Sequence, residues 1–164
     1  MIAKKVLLVG NFGVGKTSLI RRFVLNEFSE DYISTIGVRV SAKKLYVDEE
    51  EVKLLIWDVA GTSKDEKIPK AYFLGASAAM YVFDLTRKET YATVDEKIKE
   101  LKIISGLDTI LLVGNKKDLL NKNELMQIAK KCPLKIDIIT SAKENENVEI
   151  AFKEMVLKSL NKVY

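Results

Sequence analysis

Gly10-Asn11-Phe12-Gly13-Val14-Gly15-Lys16-Thr17 stands directly after the apolar run Val6 to Val9. Directly after it come Leu19, Ile20, Phe23 and Val24, which recur at helical spacing. The eight residues match G-x-x-x-x-G-K-[ST] in full, and a strand before with a helix after is the context that pattern requires. Its glycines free the backbone to wrap a phosphate chain with N–H groups turned inward, at the positive end of a helix that opens near Lys16. The pattern sets the Lys16 ammonium to reach β- and γ-phosphates and the Thr17 hydroxyl to ligate Mg²⁺.

Further apolar runs rich in Val, Ile and Leu fall at Val52 to Trp57, Ala78 to Leu85, Ile110 to Val113 and Ile136 to Ile139. Continuous apolarity of this kind fits strands buried on both faces. Between them, Val94, Ile98 and Leu101, and later Val148, Phe152 and Met155, keep helical spacing, so the alternation predicts a parallel sheet covered by helices on both sides. One connection departs from it. Val38 to Val47 and Val52 to Val59 are joined only by Asp48-Glu49-Glu50-Glu51, too short for a crossover helix, so these two strands pair antiparallel. Asn121 with Glu124 reads as a capping box, Pro133 stops that helix, and Thr90 or Thr93 opens the preceding one. Irregular stretches at Glu27 to Gly37 and Ala60 to Lys67 are long enough to suggest function.

The 164 residues, 48% hydrophobic and 30% charged, predict one globular domain over 1–164. A single cysteine, Cys132, excludes an internal disulfide framework and suggests the cytoplasm. The net charge of +4 is scattered rather than massed, which argues against nucleic acid as a partner. Histidine is absent, so imidazole catalysis and His-ligated metals are excluded, and any metal must be oxygen-bound. No membrane anchor is visible in the sequence: the first apolar run is too short for a span, and no cysteine lies near Tyr164 to take a prenyl group.

Two further motifs close runs of apolar residues. Asp58-Val59-Ala60-Gly61 gives D-x-x-G; beside the phosphate loop, the Asp58 carboxylate becomes a second Mg²⁺ handle and the Gly61 N–H a donor to a γ-phosphate. Asn115-Lys116-Lys117-Asp118 follows a buried strand at its carboxyl end, where open α/β sheets bind ligands. A carboxylate at Asp118 accepts two hydrogen bonds only from a base edge with two adjacent donors, which guanine offers and adenine does not. Thr140-Ser141-Ala142-Lys143 follows the last strand, where a backbone N–H would be placed to meet guanine O6; read alone, the stretch is equally a solvated polar loop.

In order and interval, these motifs, together with Thr35 inside Ser34-Thr35-Ile36-Gly37, resemble the Ras-superfamily GTPases over essentially the whole chain. Ile56-Trp57-Asp58 and Ala71-Tyr72-Phe73-Leu74-Gly75-Ala76 look most like the Rab branch. The resemblance implies a three-layer P-loop GTPase fold: α/β, with a six-stranded, mostly parallel sheet, one antiparallel strand and about five helices. It implies a GTP/GDP switch. Nucleotide contacts would come from Gly13, Val14, Gly15, Lys16, Thr17, Ser18, Phe28, Thr35, Gly61, Asn115, Lys116, Asp118, Ser141, Ala142 and Lys143, with Phe28 open to a second reading as plain core. Mg²⁺ ligands would be Thr17, Thr35 and Asp58, and catalytic roles fall to Lys16, Thr35, Gly61 and Thr62. Effector, exchange-factor and activating-protein partners would meet loops at about 27–39 and 60–75.

Three departures stand out. Most relatives carry a water-orienting glutamine after the glycine, where this chain has Thr62, as the Rap branch also does. Phe12 replaces a small residue near the entry point of an activator's arginine, and Thr62 to Pro69, with Lys64, Asp65, Glu66 and Lys67, resembles the usual second switch poorly. Very slow intrinsic hydrolysis is therefore expected. A GTP-loaded binding module that never turns over is the alternative; a P-loop kinase would need an arginine-rich lid that the sequence does not offer. Arg39 reads as a strand-surface residue rather than a charge-stabilising finger.

Overall fold

The computed structural model describes residues 1–31, 35–62 and 67–160. Ser34 of the first switch motif and Lys64, Asp65 and Glu66 of the second lie outside the described residues. In chain order the elements are β1 (Ile2–Val9), α1 (Lys16–Leu25), β2 (Val38–Val47), β3 (Glu50–Val59), β4 (Ala76–Asp84), α2 (Val94–Ser105), β5 (Ile110–Asn115), α3 (Lys122–Lys131), β6 (Ile138–Ile139) and α4 (Val148–Leu160). One six-stranded sheet runs β2-β3-β1-β4-β5-β6. Every neighbouring pair is parallel except β2 and β3, which run antiparallel with Val47 opposite Glu50. Four α-helices and three short 3₁₀ turns are present among the described residues, against the five or so helices expected; between β3 and β4 stands the 3₁₀ turn Lys70–Phe73.

Pleating explains why the central strands are apolar without interruption. Val6 and Leu8 of β1 join Leu54 and Ile56 of β3 on one face, under Leu19 and Phe23 of α1 and Phe152 and Met155 of α4. Leu7 and Val9 project to the other face with Tyr81 and Phe83, under Val94, Ile98 and Leu101 of α2 and against Leu125 and Ile128 of α3. Phe23 and Phe152 stack with centroids 4.1 Å apart and planes 8° from parallel, locking α1 to α4.

Local chemistry sets the element ends. Asn121 accepts the Glu124 N–H while the Glu124 carboxylate accepts the Asn121 N–H, a complete capping box; α3 then ends before Pro133, as the sequence predicts. Thr93, not Thr90, precedes α2, and its side chain makes no cap; Thr90 instead bonds the backbone of Asp84 and Arg87 inside a 3₁₀ turn. The strand expected over Ile136 to Ile139 shortens to two residues. The Asp137 carboxylate accepts the Leu112 N–H at 2.7 Å, so a side chain stands where a ladder carbonyl would.

Asp48 and Glu49 turn β2 into β3, both with left-handed φ of 50° and 68°. That is the two-residue hairpin geometry that matches strand twist and that normally recruits glycine. Glu49→Gly removes the Cβ penalty at the second position and is expected to stabilise the fold by about 0.5–1 kcal/mol, read as a higher urea midpoint at unchanged slope.

Candidate functional site

The carboxyl ends of β1, β3, β4 and β5 deliver Gly10, Asp58, Asp84 and Asn115 to one edge of the sheet. A cavity of about 370 Å³ opens beside them, lined at one end by Gly13, Gly15, Lys16, Thr17, Thr35 and Gly61 and at the other by Asn115, Lys116, Asp118, Ala142 and Lys143. Phe12, Phe28 and Leu119 supply its larger apolar walls.

The phosphate loop is shaped by close approach. Gly10 has φ 147°, and a Cβ there would lie 2.1 Å from the Val82 carbonyl oxygen; Gly15, at φ 102°, would drive one to 2.3 Å from the Asn115 amide. Lys16 is buried and donates to the carbonyls of Gly10 at 2.9 Å and Asn11 at 3.0 Å. Burial lowers its ammonium to about 8, against the pull of the nearby Asp58 charge.

Three oxygens meet at the same end. The Thr17 hydroxyl donates to Asp58 Oδ2 at 2.5 Å and lies 2.9 Å from the Thr35 hydroxyl, which is 3.4 Å from the same carboxylate. Asp58 is 2% exposed, and its Oδ1 is buried without a hydrogen-bond partner among the described residues. Burial raises its carboxyl, opposed by the Thr17 hydrogen bond and then by the Lys16 charge. Two hydroxyls and one carboxylate with a vacant buried oxygen fit a hard divalent cation that completes its shell with phosphate and water. Among the described residues no group of three or more His, Cys, Asp or Glu side chains is placed to hold a metal ion.

At the opposite end, Asn115 ties three loops together. Its Nδ2 donates to the Val14 carbonyl at 3.1 Å, while its Oδ1 accepts from the Thr140 hydroxyl at 3.0 Å and the Ala142 N–H at 3.3 Å. Lys116, at φ 71°, bridges the Gly13 carbonyl and the buried Asp84 carboxylate, at 2.9 and 2.8 Å. Ser141 donates to Asp118 Oδ1 at 2.7 Å and holds that carboxylate toward the cavity mouth. Lys143 pairs with Glu30 at 2.8 Å, both exposed, across the entrance.

Most residues expected from sequence, Ser18 and Phe28 among them, therefore line one cavity. Three stand behind its lining. Val14 and Ser141 are buried supports, and Asp58 lies beneath Thr17. Thr62 is separate: its N–H meets the Gly10 carbonyl at 3.4 Å, and it lines a second cavity with Phe73, Tyr81 and Leu101. Arg39 is exposed on β2, opposite Asp58 in register. Sequence reasoning passed over Asp84, Arg87 and Arg22, whose guanidinium bonds the carbonyls of Ala142 and Lys143 at 2.8 Å. Of these, Asp84 carries a usable signal, since it ends an apolar strand just as Asn115 does and as Asp58 nearly does, one residue before the end of β3.

A profile of the Ras family matches residues 5–161. The chain belongs to the Ras family. Ras-related protein Rab-25 from Oryctolagus cuniculus and from Homo sapiens are each 43% identical over 162 residues, covering 95% of this chain and 75% of theirs. Ras-related protein RABA1h of Arabidopsis thaliana is 41% identical over 158 residues, covering 93% and 72%. Membership in this family, on its Rab-like side, makes the chain a small GTPase and a nucleotide-dependent switch. Among the described residues no helix is long and apolar enough to cross a membrane.

Gly10→Ala places a methyl group against the Val82 backbone, which has no room to yield. It is expected to cost about 3 kcal/mol, measured by urea unfolding, and a loss below about 0.5 kcal/mol would contradict the packing described.

Proposed function

We propose that this chain binds Mg²⁺-GTP and Mg²⁺-GDP in the cavity between the phosphate loop and Asp118 and hydrolyses GTP slowly. The observation that carries this reading is the lining of one cavity by both motif sets, Lys16 and Thr17 at one end and Asp118 and Ala142 at the other. Gly13, Val14, Gly15 and Ser18 cradle phosphates through backbone and hydroxyl donors, and Lys16 adds a charge fixed before the ligand arrives. Asp118 accepts from the two adjacent donors of guanine, with Ser141 holding one of its oxygens, and the Ala142 N–H meets the base carbonyl. Phe28, Lys116 and Lys143 flank the ring.

Thr17, Thr35 and Asp58 would hold Mg²⁺, which would supply positive charge to offset that of the phosphates. Hydrolysis is in-line attack of water on the γ-phosphorus, with GDP leaving; Lys16 and the Gly61 N–H stabilise charge on the transferring group. No amide stands after Gly61 to orient the water, and Thr62 lines the neighbouring cavity instead. Intrinsic turnover is therefore low, and an activating partner supplies the missing group. Effectors and regulators engage loops at about 27–39 and 60–75, where Ile36 and Leu74 present exposed apolar side chains.

The purified chain is expected to carry guanine nucleotide released on magnesium chelation, and to hydrolyse GTP in single turnover at a rate on the order of 10⁻⁴ per second or slower. Adenine nucleotide in its place sinks the assignment, and fast unaided phosphate release sinks the kinetic part. Asp118→Asn is expected to weaken GTP by about a hundredfold or more and to favour xanthosine triphosphate, whose base offers an acceptor where guanine has its amino group. Competition binding of the two triphosphates measures it.

A further inference from the structure

Three successive carbonyls of the phosphate loop are each fastened by a donor from the β4–β5 side. Arg87 Nη1 donates to Phe12 O at 2.9 Å, Lys116 Nζ to Gly13 O at 2.9 Å and Asn115 Nδ2 to Val14 O at 3.1 Å. A trans peptide is planar and carries its C=O and the following N–H on opposite sides. Fastening these carbonyls therefore also sets the directions of the N–H groups of Gly13, Val14 and Gly15, in a loop whose Gly13, Gly15 and Lys16 line the cavity. Each fastening thus fixes one backbone donor of that loop in advance of a ligand.

Arg87 is the member of this trio outside every sequence motif. It sits in the turn after β4, its own N–H bonded to the Asp84 carbonyl at 3.0 Å and its Nε held by the Glu89 carboxylate at 3.1 Å. Its guanidinium stands against Gly13, 3.3 Å from where a Cβ would lie. The peptide it holds also adjoins the metal-side end of the cavity, because a Cβ on Gly61 would come within 2.4 Å of Phe12 Cα.

The geometry points to Arg87 as a positioning residue for the terminal phosphate: by anchoring the Phe12 carbonyl it aims the Gly13 N–H at the γ-side of a bound triphosphate and weights the site toward triphosphate over diphosphate. This rests on the guanine-nucleotide reading of the cavity. Arg87 touches no nucleotide atom itself and acts through one peptide plane.

The test is equilibrium binding of GDP and of the non-hydrolysable analogue GppNHp, with Mg²⁺, to the whole chain and to Arg87→Ala and Arg87→Lys. Arg87→Ala is expected to lower the GppNHp-to-GDP affinity ratio about tenfold, as loss of one charge-assisted hydrogen bond on the triphosphate side would. Arg87→Lys, which keeps a cationic donor, recovers part of that ratio. An unchanged ratio in Arg87→Ala, or equal losses for both ligands, overturns the role. Should Arg87→Ala not fold, Arg87→Met removes the donor while keeping a long side chain, and an unmoved ratio there is equally fatal. If the wild-type chain binds neither nucleotide, the reading of the cavity has failed; if it binds both and no variant shifts the ratio, only the assignment to Arg87 has.

Discussion

Asn115 is 1% exposed, and its side-chain amide is satisfied at both ends by groups from different loops: the Val14 carbonyl on one side, Thr140 and Ala142 on the other. A buried amide that loses a partner costs its full desolvation, so the phosphate loop and the loop after β6 are held in register by the same few hydrogen bonds. Gly15 is glycine for this reason, since any Cβ would occupy the space of the Asn115 amide. Lys116 adds a charged strut from the Asp84 carboxylate to the Gly13 carbonyl. The two ends of the cavity are thereby tied to one another along the carboxyl edge of β1, β4 and β5.

The opposite corner is held in electrostatic tension. Lys16 and Asp58 are both buried, and burial pushes the ammonium down to about 8 and the carboxyl up, in each case toward the neutral form. Their mutual attraction offsets only part of this, and Asp58 Oδ1 has no donor among the described residues. An anion placed beside Lys16 and a cation beside Asp58 would relieve both penalties at once, and under the function proposed above a bound ligand would stabilise the folded chain by mass action.

The parts of this arrangement legible in the sequence are those whose chemistry is local along the chain. Gly10 to Thr17 and Asn115 to Asp118 announce themselves because spacing within a few residues sets the loop, and the buried strands announce themselves because both faces are apolar. The antiparallel β2–β3 pair followed from loop length alone. What escaped acts across the sheet. Arg87 and Arg22 bond backbone carbonyls seventy or more positions away, a contact to which side-chain type contributes little signal. The Asp137 carboxylate replaced a ladder partner and cut short a strand whose residue types favoured four positions. Thr62, assigned a catalytic role only by its place after Gly61, bridges to Asn11 and lines the neighbouring cavity, a placement that residue type does not signal.

Phe12 follows from the same constraints. Phe12 is 52% exposed while lining the cavity, and its backbone is held from two sides, by Arg87 on its carbonyl and by Gly61 packed against its Cα. Swinging the ring aside by moving the loop would break the Arg87 bond and push Phe12 into Gly61, so only side-chain rotation is cheap. A partner that approaches the cavity here therefore meets an exposed phenyl ring on a backbone fixed from both sides.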